Sequence, residues 1–219
     1  MQHKPYGPYE RYIKRPMDCF LSTCALIVLS PILLILAFLV RIKLGTPVFF
    51  TQERPGLNGK IFKLYKFRTM TDERDANGKL LPNDVRLTSF GRMLRSTSLD
   101  ELPELFNILK GDMSIIGPRP LLVRYLSAYT KRERHRHDVR PGLSGLAQIN
   151  GRNLVKWDQR LAFDVKYVKK ITFFGDILII LQTLGKVFKR DDVAENPDDV
   201  DEGFLDEIRR AAKLKKQKQ

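Results

Sequence analysis

The sequence predicts an α+β, predominantly helical, monotopic membrane protein. Its N-terminal re-entrant helix is kinked at Ser30-Pro31, and a short β-hairpin and interfacial helices follow. Three observations predict this. An apolar run, Met17–Val40, is broken near its middle by Ser30-Pro31 and has basic residues on both sides. Two strand-like segments flank a cluster of turn residues at 54–59. Several later segments repeat apolar residues at helical spacing.

The 22 residues from Cys19 to Val40 carry no charge, which reaches the roughly 20 needed to cross a bilayer as a straight helix. A straight span concentrates Lys and Arg at one end, the cytoplasmic one. Here Lys4, Arg11, Lys14 and Arg15 precede the run, and Arg41 and Lys43 follow it. Pro31 removes a backbone donor and crowds the carbonyl four residues back, so a kink is expected there. The hydroxyl of Ser30 is placed to satisfy the freed carbonyl. A helix that enters the membrane, bends and returns to the same face accounts for all of this, and a single straight pass is the alternative. A signal peptide is disfavoured because Arg41-Ile42-Lys43 follows the run where a small-residue cleavage site would stand.

Residues 1–45 form the basic lead-in and membrane helix, 46–190 the main body, and 191–219 a charged tail. After the break at Thr46-Pro47, Val48–Gln52 and Lys60–Phe67 are predicted strands of a hairpin turning over Arg54–Gly59. Thr71–Asn83 is charged and turn-rich, a loop. Val85–Leu94 is a predicted short helix. Leu102, Leu105, Phe106 and Leu109 predict another that stops at Gly111. Gly117-Pro118-Arg119-Pro120 is a rigid turn, Leu121–Arg136 is helical, Pro141–Gly145 a loop and Trp157–Val168 a helix. Ile171–Phe188 is apolar on most sides, either a core helix or one lying in the membrane interface. The tail is expected to be disordered or a solvated helix.

The chain has 219 residues and a net charge of +14. The excess is uneven: nine acidic against six Lys and Arg residues follow Arg190, leaving 33 basic and 16 acidic up to it. Such a field draws anionic headgroups, phosphates or nucleic acid. Beside a long apolar run, lipid and phosphate are favoured and nucleic acid is not expected as a partner. Cys19 and Cys24, both in or beside the run, are expected as packing groups rather than a disulfide. No glycine-rich nucleotide loop or zinc spacing is present.

Ser98-Leu99-Asp100-Glu101 stands just before an apolar helical period. It can be a capping box, with Ser98 capping and Glu101 reaching back. It can equally be a site, since a helix start can hold a phosphate beside a carboxylate. Lys66, Arg68, Arg92 and Arg95 are candidate cations around it. Arg119, held between two prolines, presents a guanidinium suited to bidentate phosphate contact. His135 and His137 lack metal-ligand spacing and are expected on a headgroup-facing patch. Asp164, among apolar residues on a predicted helix, is either a buried partner for an arginine or part of a site.

Six segments carry a resemblance that covers about residues 12–190. They are the run with Ser30-Pro31, Gln52–Gly56, Tyr65–Met70, Arg95–Pro103, Gly111–Pro120 and Arg140–Gly145. In this order they resemble the bacterial sugar transferase family, the monotopic polyprenyl-phosphate phosphoglycosyl transferases. The absence of a large multispan region makes the chain similar to the small, catalytic-domain-only members, of the type used in protein glycosylation. The resemblance implies transfer of a phospho-sugar from a UDP-sugar to a polyprenyl phosphate, usually undecaprenyl phosphate, with release of UMP. Asp100 would be the nucleophile, with Asp100 and Glu101 near a magnesium ion. Lys66 and Arg119 would hold phosphate oxygens, with Arg68 beside them and Arg95 near the lipid phosphate. Arg152 and Asp164 match family site residues by position. The implied location is the bacterial inner membrane, with the catalytic domain on the cytoplasmic face. A second copy of the chain and downstream glycosyltransferases are the further partners to consider. The rival expectation is a non-catalytic, basic membrane-surface binding protein in which Asp100-Glu101 only caps a helix.

Overall fold

One face of the N-terminal helix, α1 (Lys14–Leu44), lies against the rest of the chain along its whole length. The fold is described from a computed structural model covering residues 3–151, 156–189 and 204–217. Lys14, Asp18 and Ser22 are buried at one end of α1, and Leu36, Val40 and Leu44 at the other, each set spaced by four residues. Between them Ala25, Leu26 and Leu29 pack against the buried Leu64, Leu105, Ile108 and Met113. This spacing is a single helical stripe. The opposite face is apolar and bare: Phe20, Ile27, Val28, Leu34 and Phe38 are each more than 60% exposed. Burying such a side chain stabilises by about 1.5–3 kcal/mol, so in water this face forgoes a large stabilisation that a lipid phase would supply.

Pro31 does not end the helix; α1 continues through it. The carbonyl it deprives of a donor belongs to Ile27, and the Ser30 hydroxyl donates to that oxygen at 2.8 Å. The foot of α1 is tied down by buried polar contacts. Asp176 Oδ2 accepts from Lys14 Nζ (2.6 Å) and from the Tyr9 hydroxyl (2.8 Å), and its Oδ1 from the Tyr167 hydroxyl (2.8 Å). Asp18 accepts from Ser114 Oγ at 2.5 Å and from the Ile115 amide at 3.2 Å. Cys19 and Cys24 are both free thiols.

The hairpin pairs β1 (Phe49–Pro55) with β2 (Ile61–Phe67), antiparallel, with Phe50 opposite Lys66, Gln52 opposite Leu64 and Arg54 opposite Phe62. Directly paired residues share a face, so Phe50, Gln52, Arg54 and Lys66 project from the same side. The predicted helix at 85–94 is two pieces, α2 (Asn83–Arg86) and α3 (Ser89–Ser96). Leu87 is spent on a bridge to Met70, and Thr88 then starts α3 by accepting from the Gly91 amide. A 3₁₀ turn (Leu99–Glu101) leads to α4 (Glu104–Lys110), which ends at Gly111 with φ 93°.

A parallel pair, β3 (Ser114–Ile116) with β4 (Gly142–Ser144), was not legible in the sequence, where 141–145 reads as a loop. Three residues are too few for an alternation signal. The glycines explain the closeness of the two segments: a Cβ on Gly142 would stand 2.0 Å from the Gly117 nitrogen. The expected helix at 121–136 is also broken, into a 3₁₀ segment (Val123–Ser127), α5 (Lys131–Arg134) and a second 3₁₀ turn (His135–His137). Thr130 and Glu133 form a capping box that restarts the chain. His137 is buried against Tyr129, contrary to its expected place on a headgroup-facing patch.

After α6 (Leu146–Ile149), α7 (Trp157–Lys169) and α8 (Phe173–Lys189) agree closely with expectation. In α8, Asp176 and Ile179 are buried while Phe174, Leu178 and Leu181 are exposed, giving a second bare apolar face. Of the two expectations for the tail, residues 205–217 meet the helical one as α9 (Leu205–Gln217). It is docked: Leu205 is buried among Tyr125, Tyr129, Trp157 and Leu161. Arg209 pairs with Glu133 through both terminal nitrogens (2.6 and 2.7 Å).

Candidate active site

The site begins at the end of β2 and the turn after α3. β2 presents Lys66 on the hairpin face described above. Ser98, at φ 55°, takes the left-handed conformation that turns the chain sharply out of α3, and its side chain caps nothing. Glu101 does not reach back to the Ser98 amide either. Its Oε1 instead accepts from Lys66 Nζ and from Arg119 Nη2, both at 2.6 Å. Of the two readings of Ser98–Glu101, the capping box is therefore absent.

Asp100 and Glu101 are adjacent but sit in different electrostatic surroundings. Burial drives Glu101 toward the neutral form, but Arg119 and Lys66 outweigh it and hold the carboxyl well below its usual range. Asp100 is 8% exposed, and among the described residues no hydrogen bond or ion pair reaches its carboxylate. Burial and the Glu101 charge push it up to about 6, against the pull of Lys66, Arg95 and Arg119. A third carboxylate, Glu104, lies 3.4 Å from Lys66 Nζ and is pushed up to about 7 by burial and by Glu101. Glu104 was missed in the sequence, although it stands one helical turn after Asp100 and just beyond Pro103.

The other expected residues divide. Arg119 is in the site, and its backbone carbonyl accepts from Arg136 Nη2 at 2.6 Å. Arg95 donates from Nε to Thr69 Oγ1 at 3.0 Å, and burial lowers its pKa while Asp100 raises it. Arg68 borders the same cavity but is committed to structure. It donates to the carbonyls of Met70 and Thr46 and pairs with Asp72 at 2.6 Å. Asp164 is the buried partner of an arginine: its Oδ2 accepts from Arg136 Nε and Nη2 at 3.0 and 2.8 Å. Arg152 lies outside the described residues. Ser30 and Pro31 are satisfied within α1 and take no part here.

Lys66, Arg95, Asp100, Glu101, Arg119 and Asp164 all line one cavity of about 1150 Å³. Apolar side chains also line it, among them Phe49, Phe50, Ile180 and Leu184. The cavity thus joins an uncommitted carboxylate, several cations and apolar side chains. Among the described residues no three His, Cys, Asp or Glu side chains converge on a metal-sized gap. Magnesium does not require such a cage. It is usually held by one or two carboxylates together with substrate phosphates, and the free carboxylate of Asp100 fits that donor set.

Residues 9–190 match the model of a family described as bacterial sugar transferase. An uncharacterized sugar transferase of Bacillus subtilis, EpsL, is 53% identical over 80% of this chain and 87% of its own length. The undecaprenyl-phosphate galactose phosphotransferase of Salmonella typhimurium is 40% identical over 83% of this chain and 41% of its own. A UDP-glucose:undecaprenyl-phosphate glucose-1-phosphate transferase of Klebsiella pneumoniae is 41% identical over 84% of this chain and 42% of its own. The chain thus spans less than half the length of the latter two relatives.

Proposed function

Since the chain belongs to the bacterial sugar transferase family and is a transferase, we propose that it moves a sugar phosphate from a UDP-sugar to undecaprenyl phosphate by way of Asp100. The observation that carries this is the contrast between the neighbouring carboxylates: Glu101 neutralised by two cations, Asp100 left unbonded in the same cationic cavity. An Asp100 oxygen attacks the sugar-bearing phosphorus. The bond from that phosphorus to the oxygen bridging the two phosphates breaks, UMP leaves with that oxygen, and an aspartyl phospho-sugar remains. A lipid phosphate oxygen then attacks the same phosphorus, the aspartyl bond breaks, and the carboxylate is restored with a polyprenyl diphosphate sugar released.

Lys66 and Arg119 stabilise oxygens on the transferring phosphoryl group, with Glu101 fixing their positions; such preorganised charge is worth most where water is excluded. Magnesium, held by Asp100 and the diphosphate, would neutralise part of the donor's charge. Because Glu101 is already engaged by Lys66 and Arg119, it serves the reaction chiefly through them. The apolar lining, which includes Phe50, Ile180 and Leu184, suits the first isoprene units of the acceptor.

The bare faces of α1 and α8 support membrane association. Both ends of α1 rest on one body, which favours a helix that returns to its side of entry over a straight crossing. We place that side at the cytoplasmic face of the inner membrane, where UDP-sugars are made.

The test is UMP release from a panel of UDP-sugars with magnesium and undecaprenyl phosphate. Without acceptor, one UMP per enzyme and a mass increase equal to one sugar phosphate are expected. UMP release strictly dependent on lipid, with no adduct, would remove the covalent step.

A further inference from the structure

Arg54 in the cavity wall has no ion pair to a carboxylate among the described residues. It stands two residues beyond Gln52 on β1, on the hairpin face that also presents Lys66. Its Nη2 donates to Gln52 Oε1 at 2.6 Å. Nε and Nη1 are buried and have no partner among the described residues. A buried guanidinium without a counter-charge is costly, and Arg54 has a second cation for a neighbour. Burial and the nearby Arg119 guanidinium together lower its pKa to about 10. Glu104, the acid whose charge opposes that lowering, is itself paired with Lys66 at 3.4 Å.

Two guanidiniums held near each other in a cavity, one of them with no carboxylate paired to it, form a site completed by an anion with several oxygens. We propose that Arg54 is a phosphate-binding residue of this cavity, oriented by Gln52 and acting with Arg119 on the oxygens of a phosphate or diphosphate. This rests on the reaction proposed above, in which phosphate enters from two sources, the nucleotide donor and the lipid acceptor. Gln52 makes the assignment specific. It occupies one terminal nitrogen through a neutral acceptor, which aims the fork without neutralising it.

The experiment compares the wild type with Arg54→Met and Arg54→Lys, in detergent or nanodiscs. Inorganic pyrophosphate is the probe for thermal stabilisation, and KM is measured separately for the UDP-sugar and for undecaprenyl phosphate. Without ligand, Arg54→Met is expected to melt at or above the wild-type temperature, because an uncompensated charge has been removed. It should need at least tenfold more pyrophosphate for half-maximal stabilisation. A tenfold rise in the donor KM alone assigns Arg54 to the nucleotide phosphates, and a rise in the acceptor KM alone assigns it to the lipid phosphate. Arg54→Lys keeps the charge without the fork and should fall between, which keeps the test informative should the Met variant fold poorly. A pyrophosphate response and both KM values within twofold of wild type would overturn the proposal. So would a lower ligand-free melting temperature with both KM values unchanged, since Arg54 would then be a structural brace. If no UDP-sugar yields UMP with the wild type while pyrophosphate binding still depends on Arg54, the proposed reaction fails and the phosphate site stands.

Discussion

Asp100 and Glu101 show how much one atom's surroundings decide. Asp100→Asn should abolish UMP release, and it should raise the melting temperature rather than lower it. The sign follows from linkage: a carboxyl whose folded pKa lies above its unfolded value weakens the fold when ionised, so at pH 7 a neutral amide relieves it. A stable but inactive variant in a melting assay paired with a turnover assay is the expected outcome. The same shift sets a pH profile. The attacking carboxylate must be ionised, so the donor half-reaction should be flat above pH 6 and fall about tenfold for each further pH step of one below it. A rate that persists undiminished at pH 5 would point away from Asp100. Glu101→Gln acts differently, because it strips the shared counter-charge from Lys66 and Arg119. Loss of about 2 kcal/mol in denaturant unfolding is expected, between the values for exposed and buried pairs, together with loss of turnover. At this scale the sequence singles out Asp100, Glu101, Lys66 and Arg119, and the fold brings all four to one cavity. Glu104 and Arg54 escaped because their significance lies in what surrounds them in space, which no local pattern announces. Asp164 is legible in the sequence only as two alternatives, and it is both paired with Arg136, 28 residues away, and part of the cavity lining.

Among the elements, α1 repeats what its sequence promises in some respects and not in others. Its length, its apolar face and the Ser30 hydroxyl on the Ile27 carbonyl could all be foreseen from the run itself. Its close packing along the body could not, because Lys14, Asp18 and Ser22 form a stripe only when their partners on β3 and α8 are known. If α1 returns to its side of entry, single cysteines placed before Pro16 and after Arg41 should both resist an impermeant reagent applied to intact cells. Labelling at one end alone would restore the straight pass. The short parallel pair β3–β4 and the interrupted 121–137 segment were misjudged for a different reason. Elements of three to five residues are fixed by close approach and capping contacts rather than by periodicity. Where a helix was long and amphipathic, as in α7 and α8, the expectation held to within one or two residues.

Over the whole molecule, four features stand out: two bare apolar helix faces, a cationic cavity and a docked C-terminal helix. The last lies beyond the region matched by the family, yet Leu205 is 1% exposed among aromatic residues. Leu205→Ala should therefore cost about 2–4 kcal/mol, measured by denaturant unfolding of the full chain in detergent. A cost under 0.5 kcal/mol would show that the helix is not held there in solution. The buried knot at the foot of α1 carries one more implication. Tyr9, Lys14 and Tyr167 converge on Asp176 while Asp18 grips Ser114 and Ile115, so the N-terminal helix and the body are interlocked rather than joined end to end. Chimeras that borrow the first 45 residues from another protein would strip Tyr9 and Lys14 from Asp176 Oδ2, leaving Tyr167 on the other oxygen. Anyone grafting this catalytic body onto a foreign anchor must transplant both halves of the joint together.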